Sequence, residues 1–191
     1  TGGNKNSNLK KEFNSENSGF VPPQNIQAEE SVLGGILLDP DAIGRIADII
    51  KPEAFYIGAH KEIYRTALML HSQGKPTDLT SMSAWLADNG TLEKIGGNNK
   101  LVELVENVSS TASIEQVASL ISDKFLRRQL IKSGNEVVQL GFDQSQPTEE
   151  VLDKAEQKIF EISQEKPSKG LTQAAEILTT TFNEIESRSL G

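Results

Sequence analysis

The two histidines, His60 and His71, are the strongest candidates in this sequence for a metal ligand or a general base, because the chain contains no cysteine. They fall in one predicted helix about three turns apart, which is too far for both to bind one metal ion. We expect His60 to be a packed or capping residue. The sequence predicts no metal ligands and no catalytic residues, although a Ser–His–Asp triad stays open.

A phosphate-binding loop is the second chemistry to look for. Its pattern, Gly-x-x-x-x-Gly-Lys-Ser/Thr, places backbone amides around phosphates, with a lysine and a hydroxyl beside them. The Gly-Lys pair of this chain, Gly74-Lys75, is followed by Pro76 and does not complete that pattern. The isolated glycine pairs at 34–35 and 96–97 indicate close helix packing and a turn, respectively. We therefore expect no cofactor to bind to this chain itself.

Composition limits the remaining function classes. The 191 residues are 36% hydrophobic and 24% charged, which suits one compact domain with polar appendages. No apolar run approaches ~18 residues and the amino end is polar, so we expect neither a membrane span nor a signal peptide. A net charge of -8 argues against a free-standing nucleic-acid binder, while leaving room for a partner domain with a basic surface.

The longest predicted element is an amphipathic helix over residues 113–140. Ser113 and Gln116 form a capping box, apolar residues recur at spacings of three and four, and Gly141 is placed to end the helix. At ~1.5 Å per residue this helix is ~40 Å long. A second helix starts at Pro147, and the short turn between the two predicts an antiparallel hairpin over 113–164.

A two-helix hairpin buries only one side of each apolar stripe, so we expect this one to pack on the rest of the chain or on another copy. Two adjacent residues, Phe125 and Leu126, should differ in orientation, one inward and one partly outward. The residues predicted for self-association or partner binding are Phe125, Leu126, Leu130, Ile159 and Ile162. The acidic residues of the second helix alternate with lysines and predict a solvent-exposed face.

Residues 22–112 predict a globular head of five or six short helices, so the fold class is all-α. Asn25 is a predicted N-cap, and Asp39 is a second one with Pro40 at the first helical position. Phe55 and Tyr56 are predicted to fill the head core. Met82 and Trp85 are assigned either to the core, which is favoured, or to a partner-binding hot spot. No sustained alternation indicates a strand.

The two ends of the chain lie outside this unit. Residues 1–21 are polar and predict a disordered arm. Residues 165–191 predict a linker that carries a separate helix at about 172–188. Its apolar side has no helix left to pack on in the chain, so we expect it to dock elsewhere, through Ile177, Leu178, Phe182 and Ile185.

From residue 22 to 162 the sequence resembles the amino-terminal domain of bacterial replicative DNA helicases of the DnaB family. The longest motif is Pro-Gln-Asn-Ile-Gln-Ala-Glu-Glu-Ser-Val-Leu-Gly-Gly at 23–35. Shorter motifs follow in the family's order and spacing, at 55–56, 60–64, 74–78, 90–93 and 96–97. One departure is Ser-Ser-Thr-Ala at 109–112, where the family often has a proline, so the turn there is expected to differ.

The resemblance implies a non-catalytic assembly domain that dimerises, with three dimers forming the collar of a hexameric helicase that recruits primase. ATP, Mg²⁺ and DNA would bind to a motor domain outside this sequence, which would make the whole protein a 5'-3' ATP-dependent DNA helicase. The helix at 172–188 would be the linker helix that grips a neighbouring motor domain, and a helicase loader is a further potential partner. The expected location is the cytoplasm, at the nucleoid, or a plastid if the source is algal.

Two alternatives stay open at this point. The chain could be an unrelated helical dimerisation or adaptor module, which a phosphate-binding loop downstream in the gene would argue against. It could also be a small hydrolase with an unmarked site, which would require turnover by the purified chain.

Overall fold

The computed structural model describes residues 20–108 and 112–165. Within them the chain is entirely helical, as predicted, with no strand. The helices are α1 (Ile26–Leu38), α2 (Ala42–Ile46), α3 (Gly58–Ser72), α4 (Leu79–Asp88), α5 (Gly97–Glu106), α6 (Ile114–Phe142) and α7 (Thr148–Gln164), with 3-10 turns at Pro52–Ala54 and Glu93–Ile95. We call residues 20–108 the head and residues 112–165 the hairpin.

Helix α1 is the centre of the head and packs against α2, α3, α4, α5 and α6. It begins where predicted, because the Asn25 side chain accepts a hydrogen bond from the backbone N–H of Ala28 at 3.0 Å. Its apolar side chains Val32, Leu33 and Ile36 are at most 1% exposed. Because α1 is buried on several sides, the helices packed around it shield the core from water.

Gly34 allows α1 and α5 to approach closely, as the glycine pair predicted. A Cβ at this position would lie 2.2 Å from the carbonyl oxygen of Leu104 and 2.4 Å from Cγ2 of Val108. Atoms cannot approach that closely, so a side chain here would push the two helices apart. The second pair, Gly96 and Gly97, forms the predicted turn with φ values of 102° and 72°, which L side chains rarely adopt.

Two predictions for the head need correction, those for Asp39 and Tyr56. Asp39 is not a helix N-cap: its carboxylate accepts from the N–H of Asp41 at 3.0 Å in a local turn, and α2 begins only at Ala42. The aspartate that does cap a helix in this part of the chain is Asp78, at the start of α4. Tyr56 does not fill the core, since it is 39% exposed, whereas Phe55 is 1% exposed.

The rest of the predicted core is present. Phe55 stacks on Tyr64 with ring centroids 4.9 Å apart, and the Tyr64 hydroxyl donates to the Ile50 carbonyl at 3.0 Å. Met82 is fully buried, and Trp85 packs against the core while staying partly exposed. The head is therefore a closed hydrophobic unit on which the hairpin rests.

Candidate functional site

The hairpin exposes several large apolar side chains among the residues that the structure describes. Helix α6 starts at the predicted cap, where Ser113 Oγ accepts from the N–H of Gln116 at 3.3 Å. Its first turns pack on the head through Val117, Ala118 and Ile121, which are buried. Beyond that, it pairs with α7. Gly141 does not end α6, which continues to Phe142, so that prediction was wrong.

The turn between α6 and α7 is held by one carboxylate. Asp143 accepts from the N–H of Ser145 at 3.0 Å and from the Gln146 amide at 2.8 Å. The Ser145 hydroxyl and N–H hold the pKa of Asp143 below its ordinary value. Pro147 then precedes α7 with φ -59°, the angle that its ring imposes. This closure confirms the predicted antiparallel hairpin.

A cross-helix ion pair links the two arms of the hairpin. Lys158 donates to Glu136, which lowers the pKa of Glu136 and raises that of Lys158. Both side chains are at least one-third exposed. Water and salt screen the attraction in exposed pairs of this kind, so the ion pair adds little to the stability of the hairpin.

The outer side of the hairpin exposes large apolar side chains. Helix α7 has no buried residue at all. The exposed fractions are 57% for Leu152, 45% for Ile159 and 62% for Phe160, and on α6 they are 53% for Leu130 and 51% for Ile131. A concavity of about 900 Å³ lies beside Ile159 and Phe160. A concentration of exposed apolar side chains on one element marks an interaction surface.

The five predicted self-association residues differ in how exposed they are. Phe125 packs against the head core, while Leu126 and Ile162 are partly buried. Leu130 and Ile159 are about half exposed. The linker residues Ile177, Leu178, Phe182 and Ile185 lie outside the described residues.

Sequence reasoning passed over three exposed residues of the hairpin, Ile131, Leu152 and Phe160. None of the three is among the residues predicted for self-association, and Phe160 directly follows Ile159, which is. Phe160 could have been found from the sequence. A phenylalanine beside the acidic, solvent-exposed face of a helix is not expected to be buried by its own chain.

A buried hydrogen-bonded cluster around Glu29 lies where the head meets the hairpin. Glu29 is 1% exposed, and its carboxylate accepts from the backbone N–H of Tyr56 at 2.6 Å and of Ile57 at 3.4 Å. It also bonds Nδ1 of His60 at 2.8 Å. A residue of α1 thus caps the start of α3, which no local pattern predicts. His60 is a packed residue, as predicted.

Arg128 attaches α6 to this junction. Its guanidinium donates to the carbonyl oxygens of Pro23 and Ala54, both at 2.6 Å, and lies 5.5 Å above the ring of Tyr56. Burial lowers the pKa of Arg128, and the nearby Glu29 raises it in opposition. The side chain stays charged, so both bonds are charge-assisted. The head therefore sets the direction in which the hairpin leaves.

Neither a cluster of metal-ligating side chains nor a membrane-spanning helix occurs among the described residues. No group of three or more His, Asp or Glu side chains among residues 20–108 and 112–165 is arranged to hold a metal ion. None of the helices in the same part of the chain is long and apolar enough to cross a membrane. What the arrangement offers is a rigid apolar surface for another macromolecule.

Comparison with known proteins decides the family. The model of the DnaB-like helicase N terminal domain matches residues 21–123. The chain belongs to this family. This match excludes the alternative that the chain is an unrelated helical adaptor. The hairpin surface is therefore a surface of a DnaB-like domain.

The relatives of this DnaB-like domain are replicative helicases. The replicative DNA helicase DnaB of Nostoc sp. (strain PCC 7120 / SAG 25.82 / UTEX 2576) is 53% identical over 179 residues, which are 94% of this chain and 20% of that protein. DnaB of Geobacillus stearothermophilus is 37% identical over 166 residues, which are 87% of this chain and 37% of that protein. The chain thus spans well under half of the length of these relatives.

Two solved structures share the fold. The crystal structure of the N-terminal domain of DnaB helicase from Mycobacterium tuberculosis matches with a TM-score of 0.68 and 38% identity, covering 74% of this chain and 99% of that one. A DnaB-like replicative helicase, whose structure was described together with its interactions with primase, matches with a TM-score of 0.62 and 28% identity. That match covers 81% of this chain and 35% of the helicase.

Proposed function

We propose that this chain is the non-catalytic assembly domain of a hexameric, ATP-dependent replicative DNA helicase. In this proposal two copies associate through their hairpins, three dimers form a collar, and the collar recruits primase. ATP, Mg²⁺ and DNA are assigned to a motor domain elsewhere in the whole protein. The observation that carries the proposal is the exposed apolar surface of the hairpin in a member of a replicative-helicase family.

The hairpin surface has the properties of an interface. Its large side chains, Leu152, Ile159 and Phe160, lie on a helix that buries none of its residues within the chain. A few residues near the centre of an interface contribute most of its binding energy, and aromatic residues are enriched there. A two-fold pairing presents the same patch on both copies, so each exposed side chain contributes twice.

Light scattering tests the self-association. We expect the purified chain to show twice the 20.8 kDa of one copy. Phe160→Ser removes the most exposed aromatic side chain of the hairpin, and the loss of a contact worth about 2 kcal/mol at each of two symmetric positions raises the dissociation constant by roughly 1000-fold.

Leu38→Ser is the matched control for this experiment. Leu38 is 57% exposed, similar to the 62% of Phe160, but it lies at the end of α1 in the head. We expect this variant to keep the dimer mass. A monomeric wild-type chain, or equal masses for the two variants at every concentration, would show that the hairpin is not the interface.

Recruitment of primase is the finer part of the proposal. Its support is the 28%-identical helicase, whose structure was described together with its interactions with primase. Calorimetric titration of bacterial primase into the chain tests it, with the isolated motor part of a relative as a negative control. We expect saturable binding to the chain. No heat at concentrations of about 100 μM would contradict recruitment through this domain and leave the dimer untouched.

A further inference from the structure

A second concave surface lies on α6, at the junction with the head. It is a groove of about 800 Å³ between α6, at Ile131 and Val138, and the segment that leads into α1, at Phe20 and Val21. These four side chains make it mainly apolar, and Phe20 and Val21 are more than 70% exposed. Its size falls within the range of about 300–1,000 Å³ that ligand-binding clefts show. The fold leaves this groove without a cover from the described residues.

The groove has a positive charge in an acidic chain. Arg128 and Lys132 line it, and none of its lining residues is a carboxylate. Neither cation belongs to the ion pairs that the described residues form. The whole chain has a net charge of -8, so this local excess of positive charge is unusual for it. Arg128 donates to the neutral carbonyls of Pro23 and Ala54, so its positive charge stays beside the groove. An apolar groove lined by two cations fits an amphipathic segment with acidic flanks.

The chain itself contains such a segment at residues 172–188. Its predicted apolar side bears Ile177, Phe182 and Ile185, and it holds three glutamates and one arginine. As a helix, the stretch from Ile177 to Ile185 is ~12 Å long at ~1.5 Å per residue. The α6 face from Ile131 to Val138 is ~10 Å long by the same measure. Length, polarity and charge therefore agree between segment and groove.

The tether between the hairpin and residues 172–188 is long enough to let this segment reach the groove. Helix α7 ends at Gln164, and Glu165 lines a small depression together with Gln129 and Lys132. Lys132 also lines the groove, so the chain leaves the hairpin close to it. Residues 166–171 reach ~20 Å when extended, at ~3.3–3.6 Å per residue. A short tether gives a local concentration on the order of 1 mM, so even an intrinsic dissociation constant of ~1 mM fills the groove about half of the time.

We propose that residues 172–188 dock as an amphipathic helix into this groove of their own chain. The inference goes beyond the proposed function and does not depend on the dimer or on primase. It makes the groove a competitor of any other domain that the segment binds. A linker that grips a neighbouring motor domain would first leave its own head, and assembly would then be coupled to that release.

Disulfide trapping tests the docking in the full chain, because the sequence contains no cysteine to interfere. One cysteine replaces Asn135, which lines the groove, and the other replaces Asn183 in the segment. The control pair combines Gln129→Cys with the same Asn183→Cys. Gln129 lies in the depression beside Glu165, so the tether reaches it as easily, but it does not line the groove.

We expect the Asn135→Cys pair to form an intrachain disulfide at least ~10-fold faster than the control pair under mild oxidation, since a docked segment holds the thiols together at a higher effective concentration. Adding Ile131→Asp, which places a charge in the groove, should remove that advantage. Equal rates for the two pairs overturn the proposal. A disulfide that joins two chains on a non-reducing gel also overturns it, because the groove then takes a second copy's segment. The dimer test with Phe160→Ser gives its answer independently of both outcomes.

Discussion

Replacing Glu29 tests how strongly this buried carboxylate stabilises the head. The carboxylate of Glu29 is the common acceptor for the N–H groups of Tyr56 and Ile57 and for Nδ1 of His60, and it is 1% exposed. Glu29→Ala leaves these donors without a partner in a site that the surrounding helices close to water. Glu29→Gln keeps one oxygen that accepts and removes the charge. Two variants of one residue thus separate the hydrogen bonds from the charge.

The expected loss of folding stability follows from the lengths of these hydrogen bonds. The bonds at 2.6 Å and 2.8 Å are short and charge-assisted, and the one at 3.4 Å to Ile57 is weak. Removing the acceptor of two such bonds costs about 1.5–3 kcal/mol for each, so Glu29→Ala should destabilise the fold by about 3–6 kcal/mol. We expect Glu29→Gln to lose only about 1–3 kcal/mol, because its amide oxygen still accepts some of these hydrogen bonds. A domain has only about 5–15 kcal/mol in total, so the first variant approaches global unfolding.

Urea unfolding followed by circular dichroism at 222 nm measures the effect, at one protein concentration because association adds stability. A loss of about 4 kcal/mol lowers the midpoint by roughly 2 M when the slope is about 2 kcal/mol per M. Glu30→Ala is the control: the neighbouring Glu30 pairs with Lys100 at 3.0 Å but is 24% exposed, and its loss should cost about 0–1 kcal/mol. If both alanine variants unfold at the same urea concentration, the hydrogen bonds of Glu29 do not stabilise the head.

Two further predictions concern the head and the hairpin. Gly34→Ala should destabilise the fold by about 1–3 kcal/mol, because its Cβ would lie 2.2 Å from the carbonyl oxygen of Leu104. Gly141→Ala should instead stabilise the fold by up to about 1 kcal/mol, because a Cβ there meets nothing within 4 Å and alanine favours a helix. Thermal unfolding measures both effects. The backbone N–H of Ser81 lowers the pKa of Asp78, so the stability from this cap is present above the ordinary pKa and is lost as pH falls through the lowered one. Asp78→Ala should therefore be about 1 kcal/mol less stable than wild type at pH 7, and the difference should shrink below about pH 4 in urea titrations; a constant difference down to pH 2 would contradict it.

Local patterns in the sequence were enough for the helical class and for two of the helix starts. Asn25 and Ser113 cap the helices that follow them, as predicted, because a cap involves residues only two or three positions apart. The all-α class and the hairpin also follow from short-range periodicity. The prediction failed at Asp39 for a local reason as well, since an aspartate before a proline can hold either a helix start or a turn.

Contacts between distant segments were decided by the tertiary structure alone. Glu29 lies in the first turn of α1, yet its partners lie 27 to 31 residues away. Arg128 reaches carbonyls 105 and 74 residues away, so its role could not be read from α6.

The same limit applies to the surface of the hairpin. Periodicity shows that Phe125 and Phe160 lie on apolar or mixed helix faces, but only the packing shows that the head covers Phe125 and leaves Phe160 exposed. A helix determines its own stripe through the spacing of its residues, which the sequence contains. What lies over that stripe depends on how remote elements cross it, and that is determined only when the whole chain folds.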